Sequence, residues 1–186
     1  MTQRPHLRLN AAMTRFGRET RGSMTLEVLL VVPLLVWALL FTISTYDAFR
    51  AQDATTKAAN AIADMISRQV DTLAQDDIDT MQGILEYISA AKPANNARLR
   101  ITALRATAND SYDVEWSHAS NDLDVLNNVD LIADQLPTLP QGDRLIAVET
   151  RFFYQPPFVI GLSSNTLSQL IAVQPRYVAR LAFDPG

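Results

Sequence analysis

Cysteine is absent from this 186-residue chain, and histidine occurs only twice. The missing thiols exclude disulfide staples, cysteine-type zinc sites, thiol catalysis and lipidation at a lipobox cysteine. His6 stands near the N-terminus and His118 far along the chain, so no second histidine accompanies His118 to form a metal-binding pair. A lone histidine is usually exposed or structural. No Gly-x-Ser-x-Gly elbow, phosphate-binding glycine loop or His-Glu-x-x-His segment occurs. Internal repeats and low-complexity tracts are missing too. The chain is therefore expected to be no enzyme, with no catalytic residue, no cofactor, no metal and no small-molecule substrate.

Charge is missing from Val28 to Tyr46, nineteen residues in a row. At about 1.5 Å of rise per residue a helix over this run covers roughly 28 Å, close to the hydrocarbon thickness of a bilayer. No second apolar run of that length exists, which implies a single spanning helix. The chain is also divided by charge. Residues 1–21 carry Arg4, Arg8, Arg15, Arg18 and Arg21 against Glu19 alone, whereas residues 23–186 carry eleven basic and nineteen acidic groups. Basic flanks stay in the cytoplasm, so the N-terminus is expected inside and the rest outside. The acidic balance of the exported part argues against a nucleic-acid partner.

The junction between these regions reads Arg21-Gly22-Ser23-Met24-Thr25-Leu26-Glu27. A carboxylate at the mouth of a spanning segment is costly and marks a functional-site hypothesis. Three readings compete. A secretory signal peptide would need a shorter apolar core and a cleavage site beyond it, where Thr42-x-Ser44 is the nearest approach. A plain signal anchor would let Glu27 snorkel to the interface. A class III, prepilin-type signal would be cut between Gly22 and Ser23 on the cytoplasmic side. The apolar segment would then stay on the mature protein, with Glu27 as its fifth residue. The combination of arginine-rich leader, boundary glycine and adjoining apolar run favours the third.

The segment from Gly22 through Glu27, Val28 and Pro33 to Leu35 resembles the start of TadE/TadF-like pseudopilins of tight-adherence (Flp-type) pilus systems. Met24-Thr25-Leu26 is bulkier than is usual there. Ile146-Ala147-Val148-Glu149-Thr150-Arg151-Phe152-Phe153-Tyr154-Gln155-Pro156 is similar to the family's late strand, which runs into a proline. Ala172-Val173-Gln174-Pro175-Arg176-Tyr177 is similar to its closing strand. The middle, about residues 75–140, carries no family motif. The resemblance implies a minor pseudopilin needed for pilus assembly, and through it adhesion and biofilm formation. It implies processing at Gly22 and Ser23 and subunit registration by Glu27. Pro33 removes one backbone hydrogen bond inside the spanning segment and reads either as a tolerated membrane proline or as a helix break, a local melt that aids subunit packing. The partners the resemblance implies are the bacterial inner membrane, a prepilin peptidase, other pilins or pseudopilins and the Tad assembly machinery. The rivals are a signal-anchored periplasmic binding or sensor module and an anchored enzyme.

The expected organisation is a basic cytoplasmic leader at 1–22, a transmembrane helix at 23–46, an extracytoplasmic helical part at 47–92 and a head at 93–186. Beyond the membrane, Ala54, Ala58, Ile62, Met65, Ile66, Val70 and Leu73 recur at helical spacing, with Lys57, Asn60, Asp64, Arg68 and Asp71 on other faces. This predicts one helix from Ser23 to about Leu73. Asp76, Asp77 and Asp79 open a second helix to about Ala91, as capping groups rather than metal ligands. Lys92-Pro93-Ala94-Asn95-Asn96 reads as a turn. Alternation over Leu99–Ala103 and Tyr112–Trp116 around Ala108–Ser111 predicts a hairpin. Arg98, Arg100 and Arg105 form a solvated face or pair with Asp113 and Glu115. A helix is expected over Asn121–Leu136, capped by Asn121 or Asp122. Ile146, Val148, Thr150, Phe152 and Tyr154 make one face of a third strand. Pro156–Asn165 reads as a loop, and a fourth strand runs from about Leu170 to Phe183, interrupted near Pro175. Trp116, Phe152, Phe153, Tyr154 and Phe158 read as core or loop-packing aromatics. The fold class is α+β and pilin-like: a long N-terminal helix, transmembrane then amphipathic, packed on a small antiparallel four-stranded sheet with one or two extra helices.

Overall fold

The computed structural model describes residues 23–89, 97–108, 111–120 and 123–184. A single helix, α1 (Ser23–Ser67), runs unbroken through Pro33. Its forty-five residues span about 68 Å. Proline at position 33 has no N–H for the carbonyl of Leu29, and the helix tolerates that loss without ending. After a short strand β1 (Leu73–Ala74), helix α2 (Gln75–Ser89) returns alongside α1. A four-stranded antiparallel sheet follows, in the spatial order β3 (Tyr112–Ala119), β2 (Ala97–Ala106), β4 (Arg144–Tyr154), β5 (Asn165–Val173). The expected α+β layout is what the chain adopts.

Helix α1 stops at Ser67, one and a half turns before Leu73, because its last carbonyls are all taken. The amide of Arg68 donates to Met65 O at 3.3 Å and that of Gln69 to Ile66 O at 3.1 Å. Ser67 Oγ donates to Asp64 O at 2.9 Å. The remote amide of Arg176 donates to Ser67 O at 2.8 Å. These bonds satisfy the free acceptors of a helix end and tighten its final turn. Ala58, Ile62 and Ile66 are buried as expected, but Met65 and Val70 are exposed. At the start of α2, Asp77 accepts from the Ala74 amide at 2.9 Å, half of a capping box. That helix ends at Ser89; the Lys92–Asn96 turn lies outside the described residues.

The sheet is covered on both sides. Leu99, Ile101, Ile146, Val148, Phe152 and Tyr154 face the two helices with Ile62, Ile66, Ile78 and Leu85. Leu104, Leu145 and Ala147 point the other way, against Leu126, Val129 and Ile132. Strand β4 is therefore buried on both faces from Leu145 to Thr150, which suits its central position.

The covering segment is where the sequence reading fails. Residues 123–136 form no α-helix; they run extended into two single 3₁₀ turns, Val129–Leu131 and Ala133–Gln135. The sheet's side chains take over the hydrogen bonds a helix would have made. Arg100 Nη1 donates to Asp124 O at 3.0 Å, and Ser117 Oγ accepts from the Leu126 amide at 2.9 Å. Tyr112 donates to the Pro137 carbonyl. Asn128, rather than Asn121 or Asp122, caps the first turn, its side chain accepting from the Asp130 amide at 2.9 Å. Asn121 and Asp122 lie outside the described residues.

Arg100 is correspondingly not on a solvated face. It is buried in an ion pair with Glu149, which also accepts from Arg151 Nε at 2.7 Å. Glu115 pairs with Arg144 at 2.9 Å rather than with the strand β2 arginines. The last strand differs too. β5 begins at Asn165 and ends at Val173, before Pro175, and residues 174–182 are irregular. Phe183–Asp184 forms β6, paired in parallel with β1. Trp116 Nε1 donates to Leu181 O at 2.9 Å, and Phe183 stacks on Trp116 at 5.2 Å, so the tail straps the sheet edge. The arrangement leaves one element uncovered, the first half of α1.

Candidate functional site: an uncovered apolar rod and its collar

From Leu26 to Ile43, α1 touches little of the head. Its most apolar window has a mean hydropathy of 2.5 and no buried residue. Leu29 is 72% exposed and Trp37 55%. Leaving such side chains in water forgoes about 1.5–3 kcal/mol each, and here they stand on every side of the helix. A helix apolar all round is stable only when something apolar surrounds it. Among the described residues this is the one helix long and apolar enough to cross a membrane. The hydroxyls near its end are internally satisfied. Thr42 donates to Ala38 O and Thr45 to Phe41 O, both at 2.8 Å.

Glu27 is exposed at the start of this rod, and Pro33 lies within it. Ser23 opens the helix backbone; Gly22 lies outside the described residues. The described chain thus places Ser23, Glu27 and Pro33 along one rod, each at a different depth.

The rod meets the head at a collar that the sequence did not reveal. Ser44 is fully buried, and its Oγ donates to Phe158 O at 3.2 Å. Tyr154 OH donates to Asp47 Oδ2 at 3.0 Å. Burial first, then the hydrogen bond to Asp47 and its charge, push the Tyr154 phenol up to about 12. Gly161 has φ +72°, and a Cβ there would lie 2.9 Å from the Phe41 ring, so only glycine fits between the β4–β5 loop and the helix. Trp37 stacks on Phe41 at 5.6 Å. Contacts between residues over a hundred positions apart leave no local periodicity, and the glycine after Pro156-Pro157-Phe158-Val159-Ile160 is the only trace they leave.

A cleft of about 440 Å³ in the head is lined by Gln75, Asp79, Gln82, Glu86, His118 and Ser120. Ser120 is committed to the fold there: its Oγ donates to Gln82 Oε1 at 2.7 Å and accepts from the Leu99 amide at 3.1 Å. His118 packs on Phe183 at 5.0 Å. Burial holds its imidazole below the ordinary value, with Asp79 pulling the other way. The serine's bonds tie α2 to the sheet and leave no serine–histidine couple. Among the described residues no group of three or more metal-ligating side chains comes together. Comparisons with protein-family models, curated proteins and solved structures find no match for this chain.

Proposed function

We propose that this chain is a minor pseudopilin of a Tad-type pilus, made as a precursor and cut between Gly22 and Ser23 by a prepilin peptidase. In this reading the N-terminus is cytoplasmic, α1 crosses the bacterial inner membrane once, and the head is periplasmic. The observation that carries it is the division of α1: one unbroken helix, bare over a bilayer's thickness and docked on a globular head beyond. That form suits a subunit held in lipid until it packs rod against rod. Removal of the leader gives Ser23 a free α-amine four residues before the Glu27 carboxylate. An unpaired charge in low dielectric is costly, and pairing amine with carboxylate between neighbouring subunits offsets much of that cost and sets their register. The chain then acts as a processing substrate and assembly component, serving adhesion and biofilm formation through the filament.

The test is the mature N-terminus. The full chain is produced with and without a prepilin peptidase, as wild type and as Gly22→Lys, and its intact mass measured. Loss of residues 1–22 from the wild type alone, and only with the peptidase, supports the proposal. An intact leader in all four samples overturns it and leaves a signal-anchored module. A start downstream of the rod, near Thr45, makes the segment a cleaved signal peptide instead.

A further inference from the structure

The β4–β5 connection, Gln155–Ser164, lies within a stretch that carries no charged residue from Phe152 to Pro175. Its middle presents apolar side chains outward: Val159 is 82% exposed and Phe158 39%. A turn of this kind on a periplasmic surface would ordinarily be polar. Three ties hold it at a fixed height on α1, spread over about 9 Å of rise: Gly161 against Phe41, Phe158 O against Ser44 Oγ, and Tyr154 against Asp47.

That height matters because the uncharged run of α1 has no length to spare. Val28–Tyr46 covers roughly 28 Å, about the thickness of a hydrocarbon core. If the loop stood in water, Phe41 and all that follows would stand there too. Only Val28–Leu40 would be left in hydrocarbon, about 20 Å and well short of a bilayer. The loop's contact point therefore falls within the outer leaflet's boundary region. Exposed aromatics flank this level along the helix, with Trp37 stacked one turn before Phe41 and Tyr46 and Phe49 in the turns after it. Aromatic and apolar side chains at such a boundary suit the lipid interface.

We infer that the β4–β5 loop is a second membrane contact, with Phe158, Val159 and Ile160 seated in the headgroup and upper acyl region of the leaflet in which the uncharged run of α1 ends. This rests on the reading of α1 as a spanning helix, but not on the pilus assignment. One helix fixes depth and leaves rotation about its own axis free. A second contact at the collar removes that freedom and presents a fixed face of the head sideways, parallel to the membrane.

The absence of cysteine makes the test direct. Three single-cysteine variants of the full chain, Val36→Cys, Val159→Cys and Gln141→Cys, are labelled with an environment-sensitive fluorophore and reconstituted into phospholipid vesicles. Gln141 is exposed at the opposite end of β4, about 35 Å from the loop. Quenching is read with nitroxides carried near the headgroup or near the bilayer centre. The expected result is a label at 36 quenched best from the centre, a label at 159 blue-shifted and quenched best from the headgroup region, and a label at 141 untouched by either. A label at 159 as aqueous as that at 141, with 36 still deep, overturns the loop contact and leaves the span intact. A label at 36 in water overturns both. A label at 159 that is shielded, unquenched by lipid and released when the protein is diluted in lipid overturns the lipid contact in favour of a second copy of the chain.

Discussion

From Leu26 to Ile43, α1 carries leucine, valine, tryptophan and phenylalanine on all sides and buries none of them; from Ser44 to Ser67 it buries a stripe that includes Thr55, Ala58, Ala59, Ile62, Ala63 and Ile66 and leaves residues such as Asp53, Lys57 and Asn60 exposed on the opposite side. The backbone is the same throughout. What differs is what each half is built to meet. The outer half needs small residues where it approaches α2 and the sheet, and ion pairs such as Lys57–Asp53 on its free side, which add little stability. The bare half has no stripe, because its apolar side chains stand on every side and none meets the head. One helix thus carries two surface patterns, and the change falls at the collar of Ser44, Asp47, Tyr154 and Gly161.

The sharpest way to break this comparison is to place one carboxylate in each half. Ile62→Asp puts an unpaired charge in the centre of the head's core, and the head is expected to lose its cooperative unfolding transition altogether. Val36→Asp is expected to leave the head's unfolding midpoint in detergent unchanged and to weaken membrane integration by about 2.5–3.5 kcal/mol, read as a shift in the inserted fraction. Equal loss of head stability from both would mean the halves are not separate.

Truncation sharpens the same contrast at smaller amplitude. Ile62→Ala is expected to cost about 2–5 kcal/mol in denaturant unfolding of the full chain. Leu29→Ala, on the bare half, is expected to change head stability by less than about 0.5 kcal/mol. A larger effect at Leu29 would show that the inner half packs on the head in solution.

The two halves also differ in how well the sequence announces them. The bare half was legible from its missing charge, and the docked half from the recurrence of Ala58, Ile62 and Ile66. The hairpin and β4 were legible from alternation. The helix expected at Asn121–Leu136 was not there, because its apolar spacing is equally served by Leu126, Val129 and Ile132 lying across a sheet whose side chains supply the hydrogen bonds. The Arg100–Glu149 pair was hidden for the same reason: a strand face reads as solvated until something covers it, and what covers it has no local signature. The limits of β5 depended on its pairing with β4, and β6 on pairing with β1, which is remote in sequence. The candidate site was half visible. Glu27 and Pro33 stand out against apolar neighbours, whereas the collar joins positions 41–47 to 154–161 and exists only in the fold.

The collar itself is tested by removing one oxygen. Tyr154→Phe keeps the ring packed and deletes the bond to Asp47, with an expected cost of about 1–2 kcal/mol. Because the phenol's value in the fold is raised to about 12 from 10.0, folding favours its neutral form. That contribution is fully present below pH 10 and is lost as pH rises towards 12. Alkaline unfolding of the wild type should show this limb and the phenylalanine variant should lack it. A variant as pH-sensitive as the wild type would place the alkaline transition elsewhere.

The smallest expected effect is the acid counterpart, and it separates the halves by titration. Between Glu27 and Asp47 the rod has no side chain that changes charge from pH 5 to 8. A response of stability in that range must come from the head, where burial lowers the His118 value below 6.5 while Asp79 partly offsets the shift. The unfolded imidazole therefore takes up a proton at higher pH than the folded one. Stability from neutral His118 is complete above pH 6.5 and declines as pH falls through and below it, by a fraction of a proton per unit of slope. His118→Gln should flatten unfolding free energy between pH 6.5 and 5, where carboxylates have barely begun to protonate. Asp79→Asn should instead steepen it, since the opposing charge of Asp79 is gone. If both variants follow the wild-type curve, the cleft beside Phe183 is open to water and the head, like the rod, is indifferent to mild acid.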